Sequence, residues 1–272
     1  MAWLRLTFRL TAFCLFLAAT MLLASSLLAF DLLTRRQIDR TPWARRCFQC
    51  SCRCLGFEIR VHGAPPERNV LYVSNHISWS DIPILGSLTP ILFLSKAEVS
   101  DWPIIGWLAQ QAGTLFIKRG GGRARRVRAS ITRKLQAGES VLVFPEGTTG
   151  FGLTVLPFHG LLLGAATDCE APIQPVTISY RRAGRPDHLT PFVGDDAFHS
   201  HLVTLLKQPP TQVDVVFHPA IRVKPELTSS QLALQLQNTV QAGLAHIQAG
   251  ALDRAGNNTI RTAGGPGPSH PR

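Results

Sequence analysis

Acidic residues are scarce in this chain. Its 272 residues carry 17 Asp and Glu against 28 Lys and Arg, a formal net charge of +11. An excess of that sign suits an anionic membrane surface, nucleic acid or an acidic substrate. The densest basic stretch holds Arg119, Arg123, Arg125, Arg126 and Arg128, with Gly120, Gly121 and Gly122 between. It lacks interleaved aromatics and no recognised nucleic-acid module accompanies it, so nucleic acid is not expected as a partner. There are six cysteines, and four of them (Cys47, Cys50, Cys52, Cys54) fall in one short segment. A chain this long with thiols so clustered is not a secreted disulfide scaffold. A zinc site would want a second C-x-x-C pair or distant histidines, which the cluster does not have. No metal is expected, and the thiols read as small apolar-like groups at a membrane interface.

Charge is also missing from residues 10–30, a run dominated by Leu, Ala and Phe. As a helix it would extend about 31 Å, close to the hydrocarbon thickness of a bilayer. The apolar core of a secretory signal is shorter, so the run reads as a retained membrane anchor. Arg5 and Arg9 precede it, whereas Arg35, Arg36, Arg40, Arg45 and Arg46 follow. By the positive-inside rule the bulk of the chain then faces the cytoplasm, at a bacterial inner membrane. Residues 34–57 read as a second helix, amphipathic or partly embedded, with Pro42 at its start or at a kink, and Trp43 as an interfacial aromatic.

Beyond residue 61 no internal repeat is evident, and short apolar runs alternate with helical segments. Residues 70–73, 91–94, 114–117, 141–144, 173–178 and 213–217 are β-rich. Residues 82–88, 102–111, 123–135 and 161–167 suit helices, and 231–249 a C-terminal one. Such alternation predicts an α/β fold, a largely parallel sheet covered on both faces. The expected organisation is a membrane-anchoring helical region over 1–58, an α/β domain over 59–252 and a disordered tail over 253–272.

The first predicted strand leads into Asn75, His76, Ile77, Ser78, Trp79, Ser80 and Asp81. A carboxylate can hold one imidazole nitrogen as N–H and leave the other free to take a proton. On one regular helix five positions is about 140° of rotation, so the pair would diverge. It works only across a strand-to-helix turn, with His76 on the loop and Asp81 in the first helical turn, where negative charge is favoured. Three later stretches also sit at strand boundaries: Gly113 to Lys118 and Arg119; Phe144-Pro145-Glu146-Gly147-Thr148; and Pro172 to Pro175 and Val176. In a parallel sheet the C-terminal strand ends share one edge, which would gather His76, Asp81, Lys118, Arg119 and Glu146 in one crevice.

Taken in order, these four stretches resemble the blocks of the glycerolipid acyltransferase family, typified by lysophosphatidic acid acyltransferase. N-H-x-x-x-x-D lies over 75–81, G-x-x-F-I-x-R over 113–119, F-P-E-G-T over 144–148 and the proline-rich strand entry over 172–176. Lys96, Glu98, Pro103 and Gly106 are similar to the family's helix between the first two blocks, and the resemblance spans roughly residues 60–220. It implies a membrane-bound enzyme in which His76 takes the proton of an acceptor hydroxyl and Asp81 orients it. Lys118 and Arg119 would bind the acceptor headgroup, and Glu146, Gly147 and Thr148 would shape its site. Direct transfer needs no serine or cysteine nucleophile. No cofactor is implied; the co-substrate is an acyl thioester of coenzyme A or of acyl-carrier protein. The leading expectation is conversion of 1-acyl-sn-glycerol-3-phosphate to phosphatidic acid. Many phosphatidic-acid-forming members continue the third block with arginine, however, and this chain has Thr149; Gln174 also replaces the usual aliphatic residue. Relatives acylating lyso-ornithine lipid are the alternative, and a non-catalytic membrane-anchored lipid-binding protein is the reading from another class.

Overall fold

A computed structural model describes residues 1–65, 69–117, 123–223 and 226–254. Two helices come first, α1 (Ala2–Thr34) and α2 (Thr41–Leu55), the second with Pro42 in its opening turn. Pro suits that place because the first N–H groups of a helix have no internal partner. Gly56, at φ 78°, closes α2 with its N–H on the carbonyls of Cys52 and Arg53. The order continues β1 (Phe57–His62), β2 (Leu71–Ser74), α3 (Asp81–Leu88), β3 (Leu92–Lys96), α4 (Ile105–Gln111) and β4 (Leu115–Ile117). Then follow α5 (Arg123–Gln136), β5 (Val141–Val143), α6 (Gly164–Thr167), β6 (Ile173–Arg182) and β7 (Arg185–Pro186). α7 (Phe198–Lys207), β8 (Thr211–Phe217), α8 (Ser229–Gln248) and α9 (Ala251–Arg254) complete the described chain.

One sheet runs β1-β8-β6-β2-β5-β3-β4, with β7 beside β6. Pairings from β6 through β4 are parallel, whereas β8 lies antiparallel to β6 and pairs parallel with β1. The sheet is thus mixed, and largely parallel where the four blocks fall. Strand period two sends alternate side chains to opposite faces. Tyr72 and Leu142 pack on one face with Leu6 and Phe13 of α1, Leu55 of α2 and Ile84 of α3. Leu71, Val73, Val141 and Val143 pack on the other with Ile131 of α5 and Leu236 and Val240 of α8. Helices on both faces bury the central strands twice over, which is why β2 is apolar nearly throughout.

Several bounds differ from expectation. The segment read as one helix to residue 57 ends at Leu55, and β1 follows it as an unanticipated edge strand. α4 begins later, after a 3₁₀ turn at Ala97–Asp101, and α6 is a single turn. Helix α1 is longer than the charge-free run and packs on α2, on α7 and on α4. Lys207 sits 4.3 Å over the Trp3 ring, Arg9 donates to the Gln208 carbonyl at 2.8 Å, and Asp31 pairs with Arg40 at 2.6 Å. Trp3 to Asp31 is about 42 Å of helix. Its outer face remains apolar and uncovered: Leu4, Phe8, Leu15, Leu22 and Leu33 are each at least 67% exposed. The expected tail over 253–272 falls, from residue 255 on, outside the described residues.

Candidate active site

The first block begins where β2 stops pairing. Asn75 replaces one rung of the ladder with its side chain, donating from Nδ2 to the Ile178 carbonyl and accepting the Ile178 N–H, both at 2.9 Å. This amide clamp ties residue 75 to β6 and releases the chain into a tight turn. The Asp81 N–H closes on the Ser78 carbonyl at 3.0 Å, and Asp81 opens α3. His76 therefore stands on the loop and Asp81 in the first helical turn, as the spacing requires.

The two side chains meet: His76 Nδ1 lies 2.7 Å from Asp81 Oδ2. The same oxygen accepts the N–H groups of Ile77 at 2.7 Å and Ser78 at 3.0 Å. A carboxylate so supplied with donors is an anion, so Nδ1 carries the proton and Nε2 is left as the basic nitrogen. Asp81 has no solvent exposure, and its other oxygen accepts the Tyr180 hydroxyl at 2.5 Å. Tyr180 also lies 2.8 Å from Ser80 Oγ. Sequence reasoning passed over Tyr180, which reaches the pair from 99 positions away and belongs to no block. The Phe144 ring stacks on the imidazole, centroids 3.9 Å apart and planes within 12°. An aromatic face there fixes the ring plane.

Glu146 follows β5 and sits behind His76. Its carboxylate is 6% exposed, and Oε1 accepts the His76 backbone N–H at 3.1 Å. Burial, with the Asp81 charge adding to it, pushes this carboxyl up to about 8, against the pull of the His76 and Leu156 N–H groups. Gly147 adopts φ 68°, a conformation that favours glycine, and its N–H closes the turn on the Phe144 carbonyl. Gly147 and Thr148 are exposed beside it. The loop is stitched to the first block, since the Gly150 N–H donates to the His76 carbonyl at 2.8 Å. Thr149 turns its hydroxyl onto the Phe192 carbonyl at 2.5 Å, while the Phe192 N–H bonds the Ile77 carbonyl at 2.9 Å. Lys118 and Arg119, expected to join this crevice from the end of β4, lie outside the described residues.

An apolar cavity of about 310 Å³ lies between α1, α2, α3 and α4, walled by Phe16, Trp43, Phe48, Trp79, Trp102 and Phe198. Trp79 belongs to the turn between His76 and Asp81, so the cavity and the polar pair share a wall. Its indole N–H donates to His201 Nδ1 at 3.0 Å. On α2 the four clustered thiols have different surroundings: Cys52 is buried, Cys47 and Cys54 half-buried and Cys50 exposed. Cys47 lines the cavity and receives the Thr20 hydroxyl at 3.8 Å.

Residues 58–179 match the family model described as Acyltransferase. The chain is 43% identical over 250 residues to the lyso-ornithine lipid O-acyltransferase of Pseudomonas aeruginosa, covering 90% of this chain and 95% of that one. It is 34% identical over 140 residues to the 1-acyl-sn-glycerol-3-phosphate acyltransferase of Neisseria gonorrhoeae, covering 49% of this chain and 55% of that one. The fold is similar to the crystal structure of the 1-acyl-sn-glycerophosphate (LPA) acyltransferase of Thermotoga maritima. The TM-score is 0.70 at 22% identity, over 92% of this chain and 98% of that one.

Proposed function

The chain belongs to the acyltransferase family, and from that premise we propose that it acylates the hydroxyl of lyso-ornithine lipid. The His76–Asp81 geometry carries the chemistry. His76 Nε2 has no protein partner among the described residues and takes the acceptor hydroxyl proton as the oxygen attacks the thioester carbonyl. Asp81 holds Nδ1–H and stabilises the imidazolium that forms. Collapse of the tetrahedral intermediate expels the thiolate, which takes that proton from His76. The acyl chain of the donor, on coenzyme A or acyl-carrier protein, suits the apolar cavity beyond Trp79.

The acceptor reading departs from the leading expectation of 1-acyl-sn-glycerol-3-phosphate. It rests on the near full-length similarity to the Pseudomonas aeruginosa enzyme and on Thr149. Where arginine would offer a fork for phosphate, Thr149 spends its hydroxyl on the Phe192 carbonyl. An ornithine headgroup pairs its carboxylate with its own ammonium, where a phosphate monoester carries uncompensated negative charge, so it asks for fewer cationic partners. Lys118 and Arg119 remain proposed partners for headgroup carboxylate. At the membrane, α1 lies along the bilayer surface with its exposed apolar face in the acyl region. Helix α1 is long and apolar enough to span a bilayer, and its ties to the domain at Trp3 and Arg9 support the surface placement. The cytoplasmic face of the inner membrane, where acyl thioesters are available, is the proposed location.

The test supplies acyl-coenzyme A and acyl-carrier protein to membranes bearing the protein, with lyso-ornithine lipid or lysophosphatidic acid as acceptor. Faster turnover of lyso-ornithine lipid is expected, with His76→Ala reduced by about a thousandfold or more. Preference for lysophosphatidic acid would overturn the acceptor assignment. Turnover unchanged in His76→Ala would overturn the mechanism and favour a lipid-binding role.

A further inference from the structure

Asp81 takes donors on both of its oxygens, and the two sides come from different parts of the fold. Oδ2 receives His76 Nδ1–H, Ile77 N–H and Ser78 N–H, all from the turn that carries the histidine. Oδ1 receives Tyr180 O–H, from the middle of the sheet. We propose that Tyr180 is a positioning residue for acyl transfer. Its hydroxyl, held in turn by Ser80, fixes the second oxygen of Asp81 and so sets the orientation and proton affinity of the His76–Asp81 pair. The proposal rests on the acyltransferase reading of the site given above.

Orientation follows from where the donors lie. A carboxylate bonded through one oxygen alone can still rotate about its Cβ–Cγ bond, because that torsion has a broad profile. A second donor on the other oxygen removes the rotation and holds the carboxylate plane against the imidazole. The phenol that supplies it has little freedom of its own. Tyr180 is 3% exposed, and its ring packs at 6.0 Å on Phe57. Since Tyr180 donates to Asp81, Ser80 Oγ–H must donate to Tyr180, giving the chain Ser80 to Tyr180 to Asp81. Each link polarises the next. Burial, and then the Asp81 charge, holds the Tyr180 phenol well above its ordinary range, so it stays a donor across the working pH range.

Proton affinity follows from charge. Every donor on Asp81 stabilises the anion and lowers its pull on a proton. Losing the Tyr180 hydroxyl removes one such donor, so the variant is expected to hold a proton on the pair more strongly. Glu146, which accepts the His76 backbone N–H, and Cys52, beside Tyr180, are the other titratable groups facing this network, and both are unchanged in the variants below.

Tyr180→Phe keeps the ring and its packing and removes only the hydroxyl. The expected result is kcat lower by about 10- to 100-fold with KM for donor and acceptor within about twofold. The midpoint of the acidic limb of kcat/KM should rise by about one pH unit. Ser80→Ala, which weakens the chain without breaking its last link, should move that midpoint the same way by less. The titration of the His76 ring, followed by NMR in histidine-labelled protein, should show the same shift without any turnover. Loss of activity with both midpoints unmoved would mean that Tyr180 only supports the fold, and would overturn the proposal. Unchanged kinetics would overturn it as well. If Tyr180→Phe does not fold, Ser80→Ala decides by the same midpoint. A midpoint that moves in Tyr180→Phe while the wild-type protein shows no acyl transfer would preserve the Tyr180 coupling and refute the acyltransferase reading instead.

Discussion

Glu146→Gln isolates the electrostatic cost of the carboxyl behind His76. The ordinary glutamate value of 4.5 and the raised one of about 8 bound the pH window in which the folded protein binds a proton that the unfolded chain has lost. The sign follows from linkage: where the folded state binds more protons, stability falls as pH rises. The protonated, buried Glu146 is favourable below pH about 4.5, and that advantage is lost progressively until about pH 8. Each pH unit is worth about 1.4 kcal/mol, so the full window amounts to roughly 3–5 kcal/mol. Glutamine retains a carbonyl oxygen for the His76 N–H and cannot ionise. Any fixed cost of its amide is the same at every pH, so the informative quantity is the change in the stability difference with pH. Urea unfolding in neutral detergent at pH 5 to 9, followed by tryptophan fluorescence, would measure it. The variant should gain on wild type by about 1 kcal/mol per pH unit and level off above about pH 8. A difference that stays flat from pH 5 to 9 would refute the reasoning, and with it the burial argument for Glu146.

Three further outcomes are expected. Thr149→Arg supplies a fork for phosphate and should raise turnover of lysophosphatidic acid relative to lyso-ornithine lipid by at least about fivefold, read from competing acceptors. Ala44→Trp fills the apolar cavity from α2 and should lower kcat/KM for long acyl donors about tenfold while sparing short ones, measured across a donor series. Leu15→Asp with Leu22→Asp places two charges on the uncovered face of α1 and should weaken co-sedimentation with anionic vesicles at least tenfold; unchanged binding would mean that another surface meets the bilayer.

Much of the site could be read from local spacing. The turn from a buried strand into a helix was required by the five-residue separation of His76 and Asp81, and the structure brings them to 2.7 Å. Glu146 fell at the expected strand end, yet its position relative to His76 was invisible. The resemblance implied that it shapes the acceptor site; the structure shows its carboxylate turned onto the His76 N–H. Tyr180 was missed because nothing local marks it, although the chain contains only two tyrosines. It lies in a ten-residue strand as one more large residue facing a core. Strand β1 was missed because Phe57–His62 is a half-exposed edge strand with charged members, paired among the described residues with β8 alone.

The sequence by itself determined the alternation of strands and helices, the strand boundaries at which the four blocks fall, and the pairing of His76 with Asp81. These depend on hydrophobic period, turn chemistry and short spacings, all of which act within a few residues. Tertiary structure alone decided the rest. It reversed β8 and β1 against the parallel strands and laid α1 along the domain, contacts that depend on how distant faces cover one another. It also set Tyr180 on the far oxygen of Asp81. A hydrogen bond between residues 99 apart leaves no periodic trace in either segment, because its geometry is set by the register of β6 on β2 and not by the residues beside it.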